Sequence, residues 1–295
     1  MSGKFRVALF KTLGGAAELL PERFDVTLGR YLASLYGRRL SGARQNLREN
    51  LRHALGPVGS VPSDQFVERF VNRAFASYGQ YWAEGAKLPS LSKAVVADRC
   101  IFSEGVEHLE DSKARGKGTI LAIPHVGSWE WGGSYVEQLG MPMTAVAEEL
   151  DPPALFRWFK KKREAMGILI EPLNDQASGV LLRTLRAGEL IGLLCDRDLQ
   201  GNGVEVEFFG ERVTMPAGPA TLALRTGATL LAGAAYAGPG SDHFVVVTPP
   251  IEAVRLGRLR DDVTRITQVI AHELEGLIRR APEQWHVLQP RFTNP

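Results

Sequence analysis

The stretch Ile120 to Trp131, ILAIPHVGSWEW, runs from an apolar segment ending at Pro124, through His125 and a turn of small residues, to a segment containing Glu130. A short apolar run closed by turn residues and followed by helix-compatible sequence reads as a buried strand feeding a helix, the repeating unit of α/β folds. Val126, Gly127 and Ser128 make the turn. Ser128 is the expected N-cap, and Glu130 falls in the first helical turn, where a carboxylate is favoured. His125 then stands just outside the carboxyl end of a strand, where ligands of open α/β sheets collect.

The same grammar continues outward from this stretch. Further strands are expected at 142–147, 190–195, 228–236 and 244–248, in addition to 119–124. Helices are expected near 129–139, 153–166, 176–187 and 217–226, with a last one at 261–280. Toward the amino terminus the pattern turns helical, over 25–37, 42–55 and 63–85, with breaks at Gly37, Pro57, Gly59 and Pro62. The expected fold is therefore α/β: a central mixed sheet flanked by helices, with a mostly helical N-terminal region.

Composition narrows the class. The chain has 295 residues, 44% hydrophobic and 23% charged, with no biased tract, which excludes disorder, collagen-like sequence and a solenoid. Its two cysteines, Cys100 and Cys195, are too few for a disulfide framework and point to a reducing, cytoplasmic compartment. No stretch approaches the roughly 18 consecutive apolar residues of a spanning helix. Lys4 and Arg6 precede an apolar patch, but Lys11 and Glu18 interrupt it, which argues against a secretion signal.

Charge is uneven. Residues 1–60 carry ten Lys and Arg against four Asp and Glu, whereas the whole chain is only +2. Such asymmetry suggests an anionic partner, nucleic acid or a lipid surface, or simply a solvated helical face. Phe5, Leu9, Leu13, Ala16 and Leu20 recur at helical steps, giving a basic amphipathic helix that docks either on the protein's own core or in a membrane interface. Nucleic acid is the weakest of these partners, because the basic surplus is not interleaved with aromatics in a recognised motif.

Three acidic residues compete as partners of His125. Glu130 is five residues on, too far round a continuous helix to pair easily, but reachable if His125 precedes the helix. Asp196 leaves the apolar run Leu190 to Cys195 as His125 leaves its own, and reaches the imidazole if the two strands are neighbours. Glu148 emerges after TAVA at a third strand end. A carboxylate that orients an imidazole lets the other ring nitrogen take a proton from a hydroxyl at neutral pH. The plainer reading makes His125 structural, Glu130 a helix-terminus residue, and Asp196, Arg197 and Asp198 a turn network.

Trp158 to Arg163, WFKKKR, offers cations for phosphate groups, or an ordinary solvated face. There is no G-x-S-x-G, G-x-x-x-x-G-K, H-E-x-x-H or C-x-x-C, and the six histidines are scattered, so a metal is not expected.

His125 to Glu130 resembles the H-x4-D/E motif of glycerolipid acyltransferases. Together with Ala147-Glu148, FKKKREAMG at 159–167, Asp196 to Leu199, GVEVEFFG at 203–210, MPAGP at 215–219 and QWHVLQPRF at 284–292, it resembles the bacterial lipid A acyltransferase superfamily. Within that superfamily the chain is most similar to the phosphatidylinositol mannoside acyltransferases. The resemblance implies transfer of an acyl group from acyl-CoA, as substrate, to a mannose hydroxyl of an anionic glycolipid, with no cofactor or metal. It also implies a peripheral or monotopic protein at the cytoplasmic face of a bacterial inner membrane. One acyltransferase domain would span 1–295, with 1–100 membrane-associating and 101–295 the catalytic core. By the same resemblance His125 is the base, Asp196 its partner and Glu130 the acidic end of the motif, while Glu148, Arg163 and Arg197 contact substrate. Glu130 stands where the mannoside enzymes usually carry Asp, and Asp196 where they can carry Glu, so which carboxylate orients the imidazole stays open.

Overall fold

The structure, a computed structural model, describes residues 22–56 and 62–292. The amphipathic stretch expected at 5–20 lies outside them. Three helices come first: α1 (Glu22–Gly37), α2 (Ser41–Leu55) and α3 (Asp64–Lys87). The chain then alternates: α4 (Lys93–Arg99), β1 (Cys100–Glu104), α5 (Val106–Arg115), β2 (Thr119–Ile123), α6 (Trp129–Gln138), β3 (Met143–Ala147), α7 (Pro153–Glu164), β4 (Ile168–Pro172), α8 (Ala177–Arg186) and β5 (Leu190–Leu194). A hairpin of β6 (Val204–Phe208) and β7 (Glu211–Met215) precedes α9 (Gly218–Thr226), β8 (Thr229–Ala237), β9 (His243–Val247) and α10 (Leu259–Arg280).

Seven strands form one sheet in the order β1-β9-β8-β2-β5-β3-β4. From β8 to β4 every pairing is parallel, whereas β9 runs antiparallel to β8 and carries β1 parallel to itself, so the sheet is mixed. Both faces are covered, which is why β2 is buried at every position. Ile120 and Ala122 pack with Leu181, Leu185, Ile266, Ile270 and Leu274 of α8 and α10. Leu121 and Ile123, one step off in the two-residue period of a strand, pack with Val136 of α6 and Leu109 of α5.

The helical start is tied to the sheet domain by α3. Helix α1 lies so close to α3 that a Cβ on Gly79 would come within 2.2 Å of the Gly29 carbonyl oxygen, so this crossing requires glycine. Helix α2 grips the C-terminal tail: Asn50 Nδ2 donates to the carbonyls of Val287 and Gln289, both at 2.9 Å.

All five expected strands and all eight expected helices from residue 25 onward are present, with ends moved by a few residues. Unforeseen were β1, β4, α4, α5 and the β6–β7 hairpin. That hairpin stands outside the main sheet and turns through Phe209 and Gly210, with φ of 51° and 82°.

Candidate active site

Strands β2 and β5 are parallel neighbours with Ile123 opposite Leu194. Two residues farther along each chain stand His125 and Asp196, brought together by register. His125 Nδ1 lies 2.5 Å from Asp196 Oδ1, and the His125 backbone N–H donates to Oδ2 at 3.0 Å. The indole Nε1–H of Trp285 donates to the same Oδ2 at 2.8 Å. Asp196 is fully buried, while the His125 side chain is 24% exposed. Burial alone would raise the Asp196 carboxyl. The His125 charge, its two hydrogen bonds and the Trp285 indole overcome that and hold it at about 2. An ionised Asp196 accepts the Nδ1 proton, which leaves Nε2 with its lone pair. Among the described residues nothing hydrogen-bonds Nε2.

The turn after His125 is braced from the far end of the chain. Gly127 N donates to Gln284 O at 2.9 Å and His286 N to His125 O at 2.8 Å, so residues 125–127 and 284–286 run as a short antiparallel pair. At Gly127, φ is +59° and a Cβ would meet the Ala235 carbonyl at 2.0 Å. Ser128 occupies the N-cap position as expected, but its hydroxyl caps nothing and is buried without a partner.

This pairing sets a second imidazole beside the first. His286 Nε2 is 2.9 Å from Ser77 Oγ, and its ring packs on those of Tyr78 and Tyr81, with centroids 5.5 and 5.4 Å away. Burial, together with the His125 charge, pushes His286 down to about 3, so it is neutral at physiological pH.

Glu130 takes a different set of partners. Its Oε1 accepts from Tyr81 OH at 2.9 Å and from Arg163 at 3.1 Å, while Oε2 is buried without a partner. Of the two carboxylates left open by sequence, Asp196 is therefore the one bonded to the imidazole. Burial and then Glu130 push the Tyr81 phenol well up, so it remains a donor. Burial would lower Arg163, but Glu130 outweighs it and the guanidinium stays charged. Arg163 also lies over the Trp129 ring at 4.9 Å. Of the other cations on α7, Lys160 pairs with Glu164 at 3.3 Å and Lys162 sits over Trp158 at 5.9 Å.

Glu148 is exposed just past β3, and Arg197 is half-buried just past β5, both on the rim that carries His125. Asp198 accepts from Gly201 N at 3.0 Å and Gly203 N at 2.9 Å, making the turn foreseen for this segment, with Asp196 outside it. Cys195 is buried, and its thiol is pushed up by burial and by Asp196, which keeps it protonated. Beneath the site a narrow apolar cavity is lined by Ile123, Trp129, Gly133, Met143 and Val245, among others. Among the described residues no group of three or more His, Cys, Asp or Glu converges as metal ligands do.

Sequence reasoning assigned no role to Tyr81, Ser77, Trp285 or His286. Trp285 and His286 lie in QWHVLQPRF, noted above only as part of a pattern, and nothing local relates them to residues about 160 positions earlier.

Comparison with known proteins places these residues in context. The profile of the bacterial lipid A biosynthesis acyltransferase family matches residues 6–294. A phosphatidylinositol mannoside acyltransferase of Mycobacterium tuberculosis is 36% identical over 289 residues, covering 94% of this chain and 85% of that protein. One from Mycolicibacterium smegmatis is 35% identical over 256 residues, covering 85% of this chain and 80% of that protein. A lipid A biosynthesis acyltransferase of Haemophilus influenzae is 25% identical over 227 residues, covering 76% and 68%.

Proposed function

Because the chain belongs to the bacterial lipid A biosynthesis acyltransferase family, we propose that it moves a long-chain acyl group from acyl-CoA to a mannose hydroxyl of a phosphatidylinositol mannoside. His125 is the general base. Nε2 takes the hydroxyl proton as the sugar oxygen attacks the thioester carbonyl carbon. The new C–O bond forms, the C–S bond breaks, and the proton passes from His125 to the departing thiolate, giving an ester and free coenzyme A. Asp196 fixes the tautomer and stabilises the imidazolium formed midway. Cys195, held as a buried thiol, has no part, and no acyl-enzyme forms. No step is routed through a metal or cofactor.

The observation that carries this reading is the Nδ1–Asp196 bond on a ring still 24% exposed. Glu148 and Arg197, on the same rim, supply contacts to substrate. Arg163 acts at one remove, by holding Glu130.

A diacylated acceptor stays in its bilayer, because each buried CH₂ holds it by about 0.8 kcal/mol, so the enzyme goes to the membrane. No helix among the described residues is long and apolar enough to cross one. Helix α1 instead presents Phe24, Leu28, Tyr31, Leu32, Leu35 and Tyr36 to solvent at helical spacing, followed by Arg38 and Arg39. An apolar face with aromatic and basic flanks suits peripheral attachment to the cytoplasmic leaflet of the inner membrane. The test pairs radiolabelled acyl-CoA with a panel of lipid acceptors in vesicles. His125→Ala is expected to lower transfer by at least ~10²-fold. Near-normal turnover in that variant removes the base. Transfer confined to a lysophospholipid or another glycolipid changes the acceptor, and no transfer to any lipid leaves a lipid-binding module.

A further inference from the structure

We infer that Trp285 is a positioning residue for the acid–base pair, acting through Asp196. The inference rests on His125 being the base. Asp196 is fully buried, and a buried carboxylate must have its acceptor sites met. Oδ1 receives His125 Nδ1, and Oδ2 receives the His125 backbone N–H and the Trp285 indole N–H. Without the indole, every hydrogen bond to the carboxylate comes from His125, the residue it has to orient. The indole supplies a fixed reference that does not move with the imidazole.

That reference is itself well anchored. Trp285 is wholly buried, with Phe209 and Phe208 rings at 5.8 and 6.2 Å. On one side Gln284 exchanges two hydrogen bonds with the backbone of Ala237, at 2.9 and 2.8 Å. On the other, Asn50 holds the carbonyls of Val287 and Gln289. The aromatic packing asks only for a large flat ring, which phenylalanine nearly supplies. The bond to Oδ2 asks for an N–H, which among the aromatic hydrocarbon-like side chains only tryptophan carries at that reach.

The test compares Trp285→Phe with wild type on vesicle-borne acceptor across pH. Expected are a kcat about tenfold lower and a KM changed less than twofold, as for loss of one hydrogen bond to a charged group. The acidic limb of kcat/KM should move up by about one pH unit, because removing a donor from the carboxylate makes the pair hold its proton more tightly. Charged and titratable groups that act on the pair are Cys195 just past β5, and His286 and Arg291 on the tail, the last of which also faces Arg197 and Asp198; the variant changes none of these residues. Added to Asp196→Asn, Trp285→Phe should cost nothing further. Wild-type kcat with an unmoved limb overturns the inference. Where Trp285→Phe does not fold, the indole N–H resonances of the ¹⁵N-labelled full chain decide instead: one should shift upfield in Asp196→Asn, and an unchanged set overturns the inference. His125→Ala, assayed alongside, separates the two readings. Turnover surviving there defeats the base itself, whereas an inactive His125→Ala beside a wild-type-like Trp285→Phe defeats only the role of Trp285.

Discussion

Two histidine–carboxylate pairs among the described residues differ in access. His125 meets Asp196 at 2.5 Å with its ring 24% exposed at a strand end. His243, at the start of β9, meets Glu84 of α3 at 3.2 Å, with side chains 1% and 3% exposed. The His243 ring is stacked on Trp131 at 3.9 Å, and Gln80 holds the other oxygen of Glu84 at 2.7 Å. The same two functional groups thus leave a partly exposed ring at a strand end in one place and make a sealed tie between α3 and the sheet in the other. What separates them is whether the second ring nitrogen is open to a reactant, and the Nδ1 of His243 is buried with no partner.

Exchanging the roles of the two pairs is the strongest way to break this contrast. His125→Ala should lose at least ~10²-fold in transfer per folded molecule, and should also lose roughly 3 kcal/mol of stability, because the fully buried Asp196 keeps only the backbone N–H and the Trp285 indole as donors. His243→Phe keeps the ring stacked on Trp131 but strands the buried Glu84. A loss of roughly 3 kcal/mol in stability is expected, with transfer per folded molecule unchanged within about twofold. Denaturant titration and initial rates on the same samples check both. A His243→Phe protein that is stable but inactive would merge the two pairs into one functional unit.

Arg163 sharpens the comparison at a third carboxylate. Its guanidinium and the Tyr81 phenol hold Glu130, whose side chain is 6% exposed. Arg163→Met should therefore cost about 3 kcal/mol of stability by leaving a buried charge. A variant of normal stability whose KM for acyl-CoA rises would instead make Arg163 a substrate contact.

These assignments show how far the sequence could be read. The strands at 119–124, 190–195 and 228–236 were legible because both faces are buried, and a continuous apolar run has few other interpretations. Edge strand β4, ILIEP, is half-exposed and short, and the hairpin β6–β7 alternates polar and apolar residues, so neither stands out against loop. His125 and Asp196 were legible as a pair because each ends an apolar run, and register did the rest. The partners of Glu130 were not, because Tyr81 comes from α3, 49 residues away, and nothing in helical spacing encodes that crossing. Trp285 was hidden for the same reason at greater range.

The smallest effect concerns the second imidazole of the site, and its sign follows from its surroundings. His286 is held neutral, down to about 3, whereas in the unfolded chain it titrates near the ordinary value of 6.5. Below pH 6.5 the unfolded chain takes up a proton that the folded one refuses, so stability is complete above that pH and declines as pH falls. Between pH 7 and 5 this removes up to about 2 kcal/mol, at 1.36 kcal/mol per unit. His286→Phe keeps the packing on Tyr78 and Tyr81 and has no proton to take up. Its urea midpoint should therefore fall less than that of wild type over the same range, even if it is lower at pH 7 through loss of the Ser77 bond. His53, also lowered by burial, titrates in both proteins and cancels in the difference. Parallel pH profiles for the two proteins would mean that His286 takes its proton inside the fold. The site would then carry a second positive charge when His125 is protonated, and the imidazolium on which the proposed proton transfer depends would be opposed by its neighbour.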